Sequence, residues 1–210
     1  MRQSPTPLSS SSPSAEPGSR WWPAGLTQNV FVAGLTSLFT DISSEMIVPV
    51  LPLFLVSVLG APVYAVGLIE GIAESTASIL RVFAGWISDR TGRRKLLVVV
   101  GYGLSNFTKP LMAVATSWPQ VLAIRFGDRF GKGIRGAPRD ALIADSVAPS
   151  VRGRAFGFHS AMDTTGAAIG PLLAASVLAL TAADVRAVFW LAAIPGIISV
   201  LIAWRYLRDI

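Results

Sequence analysis

Cysteine is absent from these 210 residues and histidine occurs once, at position 159. A disulfide framework, a thiol nucleophile and a cysteine-containing zinc site are therefore excluded, and with one histidine so is a His-rich metal centre. Charge is scarce as well, at 14% of residues against 52% hydrophobic. A soluble core of this size needs a charged shell, and 18 bases with 12 acids make a thin one, so the composition points to a protein solvated by a bilayer. Glycine-rich phosphate loops, nucleophile elbows and metal clusters are missing from the pattern, so neither an enzyme nor a cofactor nor a metal is expected.

What is present divides into a tail and a long apolar stretch. Residues 1–26 are rich in Ser and Pro and too polar to pack, which predicts a disordered tail; they hold no apolar segment or small-residue cleavage site of a signal peptide. Beyond it, residues 46–69, 164–183 and 187–204 run without formal charge. A bilayer core takes about 20 such residues per helix. With Gly, Pro and polar breaks as punctuation, residues 27–210 form one membrane domain of six spans, at roughly 28–59, 63–88, 96–116, 119–145, 154–180 and 185–206. The expected fold class is all-α, a tightly looped bundle of six transmembrane helices.

Cytoplasmic loops collect Lys and Arg, which orients the bundle. Arg2, Arg20, Arg90, Arg93, Arg94, Lys95, Arg152, Arg154, Arg205 and Arg208 fall on one side, and Arg186 alone on the other. Both termini are thus expected inside, in the inner or plasma membrane of the cell. With Glu16, Asp89, Asp145 and Asp209 also inside, and Asp184 opposite Arg186, this topology accounts for the whole net charge of +6. The basic balance then gives no reason to invoke nucleic acid.

The remaining charges lie at membrane depth: Arg81, Lys109, Arg125, Arg129, Lys132, Arg135 and Arg139 against Asp41, Glu45, Glu70, Glu74, Asp128, Asp140 and Asp163. An intramembrane charge is costly unless paired or facing water, so the seven-to-seven balance suggests a paired network around a polar centre. The first, second, fourth and fifth spans carry nearly all of it. That rhythm of polar, polar, apolar, twice over, suggests a three-plus-three internal repeat, a recurrent construction of secondary transporters. Asp41 with Glu45, Glu70 with Glu74, and His159 with Asp163 stand one helical turn apart. Two carboxylates so placed in a low dielectric disfavour each other's ionisation, which suits proton uptake; the plainer reading is that each neutralises one base, and His159 alone reads as a packing residue. Positions 125, 128, 132, 135 and 139 keep helical spacing along one face that must look into the bundle.

Three segments carry a resemblance. Between the second and third spans lies Gly85-Trp86-Ile87-Ser88-Asp89-Arg90-Thr91-Gly92-Arg93-Arg94-Lys95; further on come Pro138, Ala144-Asp145 before a short loop, and Arg152-Gly153-Arg154. The first is similar to the G-x-x-x-D-R-x-G-R-R/K signature of the major facilitator superfamily, and order and loop position agree over about 184 residues. The fifth span holds Asp163-Thr164-Thr165-Gly166-Ala167-Ala168-Ile169-Gly170-Pro171, which resembles the G-x-x-x-G-P element of the family's antiporters, although Ala174-Ala175 replaces the usual glycine pair. Close helix packing explains Gly166, Gly170 and Pro171 equally well.

The resemblance implies the amino-terminal half of a twelve-helix transporter that works by alternating access. Asp89, Arg93 and Asp145 match a charge network that latches a gate, with Gly85, Arg90, Gly92 and Arg94 completing the motif. Arg125 and Arg129 both match an arginine of the fourth helix. Asp41, Glu45, Glu70, Glu74, Arg125, Asp128, Arg129, Lys132 and Asp163 are the candidate proton and substrate positions. The expected function is proton-coupled efflux of a small solute. One alternative is symport or uniport of an anion, motivated by the basic stripe; another, of a different class, is a truncated, non-transporting membrane subunit. The expected partners are the lipid bilayer, a small-molecule substrate and a second six-helix half, supplied by a missing carboxy-terminal half or by a homodimer.

Overall fold

The computed structural model describes residues 26–209, so the expected tail lies outside the described residues but for Leu26. Regular structure among these residues is helical throughout. Helix α1 spans Gln28–Ile47. Pro49 and Pro52 then remove two backbone donors, and the chain passes through a turn into the short α2, Leu51–Leu53, and a π-helical segment, Phe54–Val58. Next come α3, Val63–Thr91, and α4, Arg94–Val114. Between them Gly92 adopts φ +64°, the left-handed end that a residue without Cβ makes at little cost, and its N–H donates to Ser88 O at 3.0 Å. Helix α5 covers Trp118–Asp145, α6 Arg152–Leu180 after a 3₁₀ turn, and α7 Val185–Tyr206.

Five segments are long and apolar enough to cross a membrane: Gln28–Val58, Val63–Thr91, Arg94–Val114, Pro149–Leu180 and Val185–Tyr206. Helix α5, at 28 residues, is longer than two of them but holds eight charges between Arg125 and Asp145, so apolar length alone does not mark it as a span. The outer faces fit lipid rather than water. Leu180, Val63, Val82, Leu172 and Phe107 are all at least two-thirds exposed, a pattern a soluble protein of this size would not tolerate.

Helix α1 packs against α6 and α7, α3 against α5, and α4 against both α5 and α7. One apolar cluster fills the end near the α4–α5 turn, around Phe54, Ile69, Met112, Val121 and Phe189; a smaller one, around Val32, Val98, Tyr102 and Leu142, lies toward the other end. Arg186 ties the first end together. Its guanidinium donates to Ala113 O and, at 3.0 Å, to Ala115 O, which satisfies carbonyls left free where α4 stops.

Candidate functional site

Helix α5 brings its charges into the bundle by lying unusually close to its neighbours. A Cβ on Gly131 would stand 2.6 Å from Gly101 O and 2.7 Å from Ser105 N of α4; one on Gly133 would stand 2.7 Å from Leu80 Cβ and 2.9 Å from Ala77 O of α3. Only glycine permits this double approach, and it sets α5 backbone-close to both helices. The charged side chains of α5 then have nowhere to go but the interfaces and the open side.

The structure divides the candidate residues into two groups. On the α3 side, Arg125 is buried and forks: one nitrogen donates to Glu70 Oε1 at 2.6 Å and another to Asp128 Oδ2 at 3.1 Å. Ser105 Oγ donates to Asp128 Oδ1 at 2.5 Å. Arg129 stands 3.8 Å from carboxylate oxygens of both Glu70 and Glu74. These five charges form a mostly self-satisfied cluster.

The second group surrounds a cavity of about 380 Å³ between α1, α3, α5 and α6. Asp41 and Glu45 enter it from α1, Arg81 from α3, Lys132, Arg135 and Arg139 from α5, and Asp163 with Thr164 from α6. Helices α1 and α6 meet here through two more glycines. A Cβ on Gly166 would come 2.6 Å from Leu38 O, and one on Gly170 would come 2.7 Å from Glu45 Cβ; Pro171 follows inside α6. Behind the cavity wall, Ser37 is a hub: its Oγ lies 2.9 Å from His159 Nε2, 3.2 Å from the Tyr102 hydroxyl and 3.4 Å from Arg139 Nη1. His159 Nδ1 is 3.5 Å from Asp163 Oδ2, and the Arg135 guanidinium lies over the Tyr102 ring at 4.2 Å.

One-to-one neutralisation of the membrane-depth charges is not what forms. Among the described residues Arg81, Lys109, Lys132 and Arg135 make no ion pair. Three of them border the cavity. Lys109 is buried on the far side, where its Nζ donates to Ser43 Oγ at 2.8 Å and Asn106 Oδ1 at 2.7 Å. Neutral groups from α1 and α4 thus accept this amine, and Asn106 in turn donates to Tyr102 O and to Ser199 Oγ of α7.

At the basic loop one acid finds a partner within this chain. Asp145 pairs with Arg94, not with Arg93, and Asp89 makes no ion pair among the described residues. The cause is local: Arg94 opens α4 and turns toward the end of α5, whereas Asp89 and Arg93 flank the Gly92 turn with exposed side chains. Arg90 folds back over the Trp86 ring at 4.5 Å. A Cβ on Gly85 would sit 3.3 Å from Ala137 Cβ of α5, so this glycine seats α3 on α5.

The sequence pattern does not single out Ser37, Ser43, Tyr102, Ser105, Asn106 and Ser199, although all six join the buried network. Each is uncharged and sits in an apolar helix, so only an inventory of hydrogen-bonding groups by helix face could find them.

The same helices and loop motifs occur in known proteins. The family model described as Major Facilitator Superfamily matches residues 33–210. An uncharacterized MFS-type transporter of Methanocaldococcus jannaschii is 38% identical over 176 residues, covering 84% of this chain and 44% of the relative. The multidrug resistance protein MdtG of Yersinia enterocolitica is 31% identical over 188 residues, covering 87% and 44%. Among solved structures, an inward-facing, unoccupied bacterial homologue of the human lysosomal transporter Spinster superposes with a TM-score of 0.73 at 19% identity, over 87% of this chain and 43% of that one. The chain thus spans a little under half the length of the relatives it matches.

Proposed function

The chain belongs to the major facilitator superfamily, and on that premise we propose that it is one six-helix half of a secondary transporter that exports a small solute by alternating access in exchange for protons. That it is an integral membrane protein, and a transporter rather than an enzyme, is what the family and its apolar helices already indicate. The observation that carries the finer reading is the cavity itself: Asp41, Glu45 and Asp163 converge on it, and among the described residues neither Asp41 nor Glu45 makes an ion pair. Carboxylates uncommitted to ion pairs at a polar centre are free to exchange a proton and to meet a solute.

The packing scheme supports the three-plus-three repeat. Let α5, α6 and α7 exchange places with α1 (continued to Val58), α3 and α4: the pair α1 with α6 becomes α5 with α3, the pair α1 with α7 becomes α5 with α4, and α4 with α7 maps onto itself. On this reading α5 is the fourth of six spans, tolerated because its charges face the bundle. Both termini lie in the cytoplasm of a cell with an energised inner or plasma membrane, on the strength of the basic loops. The open cavity side and the exposed Asp89 and Arg93 would meet a second six-helix half. Similarity to a multidrug resistance protein favours export. An anion symporter or uniporter is the competing reading, favoured by Arg81, Lys132 and Arg135, which border the cavity and make no ion pair among the described residues.

The test uses the chain assembled with its second half in inside-out vesicles carrying an imposed pH gradient. Proton release is read by acridine fluorescence on adding small zwitterions, anions and cations in turn. Replacing Asp41, Glu45, Glu70, Glu74 and Asp163 singly by their amides is expected to abolish solute-dependent proton release in at least one case while sparing solute exchange. If all five amides release protons normally, the acids are structural counter-charges and coupling lies elsewhere.

A further inference from the structure

We propose, resting on the transporter reading above, that the cavity between α1, α3, α5 and α6 takes a small hydrophilic zwitterion, its anionic end held by Arg135 and its cationic end by Asp163. Two orphaned atoms motivate this. Arg135 is only 5% exposed and lines the cavity, yet among the described residues its Nη1 has no hydrogen-bond partner. The Tyr102 ring beneath its guanidinium holds the plane and offers no lone-pair acceptor. Asp163 lines the same cavity; its Oδ2 leans on His159 at 3.5 Å, while its Oδ1 is buried and without a hydrogen-bond partner among the described residues. A buried donor and a buried acceptor left unsatisfied in one cavity are each costly, and a single ligand that brings one acceptor and one donor removes both costs.

The charge inventory points the same way. Arg139 is committed to Asp140 at 2.9 Å. That leaves three bases, Arg81, Lys132 and Arg135, facing three acids, Asp41, Glu45 and Asp163. When the second half closes over the cavity, a simple anion would answer the bases and strand three carboxylates, and a simple cation would do the reverse; a charge without a partner in a closed, water-poor site is heavily penalised. A zwitterion adds no net charge and divides its ends between the two sets. Size and surface agree. The cavity of about 380 Å³ lies at the small end of ligand pockets, and of its lining residues only Gly136 and Ala167 lack a polar side chain, so a bulky apolar molecule finds little to rest on.

The experiment uses three probes of one carbon length: 4-aminobutyrate, butyrate and butylammonium. The chain assembled with its second six-helix half is purified in phosphatidylcholine nanodiscs and titrated with each, and binding is read by saturation-transfer NMR on monodisperse material. The expected result is that 4-aminobutyrate binds at least about tenfold more tightly than either half-probe. Arg135→Gln should lose that advantage over butylammonium, Asp163→Asn should lose it over butyrate, and Arg135→Lys should restore part of it. Because Arg135→Gln could disturb packing, Arg81→Gln is measured beside it; this exposed residue lies outside the core, and its loss should weaken 4-aminobutyrate and butyrate while leaving butylammonium unchanged. Butyrate binding as tightly as 4-aminobutyrate would overturn the proposal in favour of an anion site, and equal binding of butylammonium in favour of a cation site; either leaves the transporter reading standing. If none of the three saturates at millimolar concentration, the cavity is not a zwitterion site, and the proton-release assay decides the transporter reading on its own.

Discussion

Arg125 is the residue whose loss the structure penalises most clearly. It is buried, and it answers both Glu70 and Asp128, the latter buried as well. Removing one partner of a buried ion pair leaves an uncompensated charge and costs about 3–5 kcal/mol in soluble proteins, whereas removing both partners together costs far less. Arg125→Met should therefore lower the thermal unfolding midpoint of the detergent-solubilised chain sharply, and the double variant Arg125→Met with Asp128→Leu should recover at least half of that loss. If the double variant is no better than the single, the ion pair is not what holds α3, α4 and α5 at this level. Residue types and spacing along α5 are legible in the sequence, because positions 125, 128, 132, 135 and 139 recur with the helical turn. Their division is not: Arg125 and Asp128 face α3 and α4, whereas Lys132, Arg135 and Arg139 face a cavity, and that depends on which neighbouring helix lies at which height. The uncharged half of the network is illegible for another reason. Ser37, Tyr102 and Asn106 carry no charge to balance, so a count of charges passes over them.

Helix packing rests on a few glycines whose roles separate cleanly. A Cβ on Gly131 meets backbone atoms of Gly101 and Ser105 that cannot move without parting α4 from α5, and overpacking of this kind costs about 1–3 kcal/mol. Gly92 has open space around it but φ +64°, so an L side chain there costs about 1 kcal/mol through backbone strain alone. Gly103 has neither constraint: it lies inside α4 with nothing within 4 Å of the added atom, and alanine there should stabilise the helix by about 0.5–1 kcal/mol. The expected order of thermal midpoints is Gly103→Ala above the parent, Gly92→Ala somewhat below it, and Gly131→Ala lowest. A Gly131→Ala protein as stable as the parent would mean that α4 and α5 are farther apart than described. The Gly92 turn can be read from the sequence because it closes a charged loop after a helix. Gly101, Gly131 and Gly133 cannot, since a close approach is a property of two helices and the pattern of one chain segment shows only its own. The loop pairing is illegible in the same way: Arg93 and Arg94 are neighbours in sequence, and only the direction in which α4 starts decides that Arg94 meets Asp145.

At the scale of the molecule, two expectations concern the bundle in its membrane. The absence of cysteine makes orientation easy to measure, and the exposed positions Thr91, Ser150 and Thr116 accept single cysteines without touching the core, unlike Ser88, which is buried. An impermeant maleimide should label Thr116→Cys from outside intact cells, and the other two only after permeabilisation, in keeping with the basic loops; the reverse pattern would invert the bundle and put both termini outside. Membrane class, helical content and family are legible because composition and the Asp89–Arg93 loop carry them locally. The completeness of the machine is a different matter, because it depends on what stands opposite the cavity. Alternating access in this construction works by rocking two halves about a site between them. Here Arg81 on α3 is exposed and the half-exposed Glu45 and Lys132 open on the same side, and hydrocarbon cannot solvate such a flank. The 210-residue chain reconstituted alone into proteoliposomes is accordingly expected to show no saturable uptake of any probe that the assembled transporter moves, and to regain it when a second six-helix half is co-expressed. Saturable, specific uptake by the short chain alone would overturn this, and would require two copies of it to face each other across the cavity, each supplying its own Arg135 and Asp163 to a shared site.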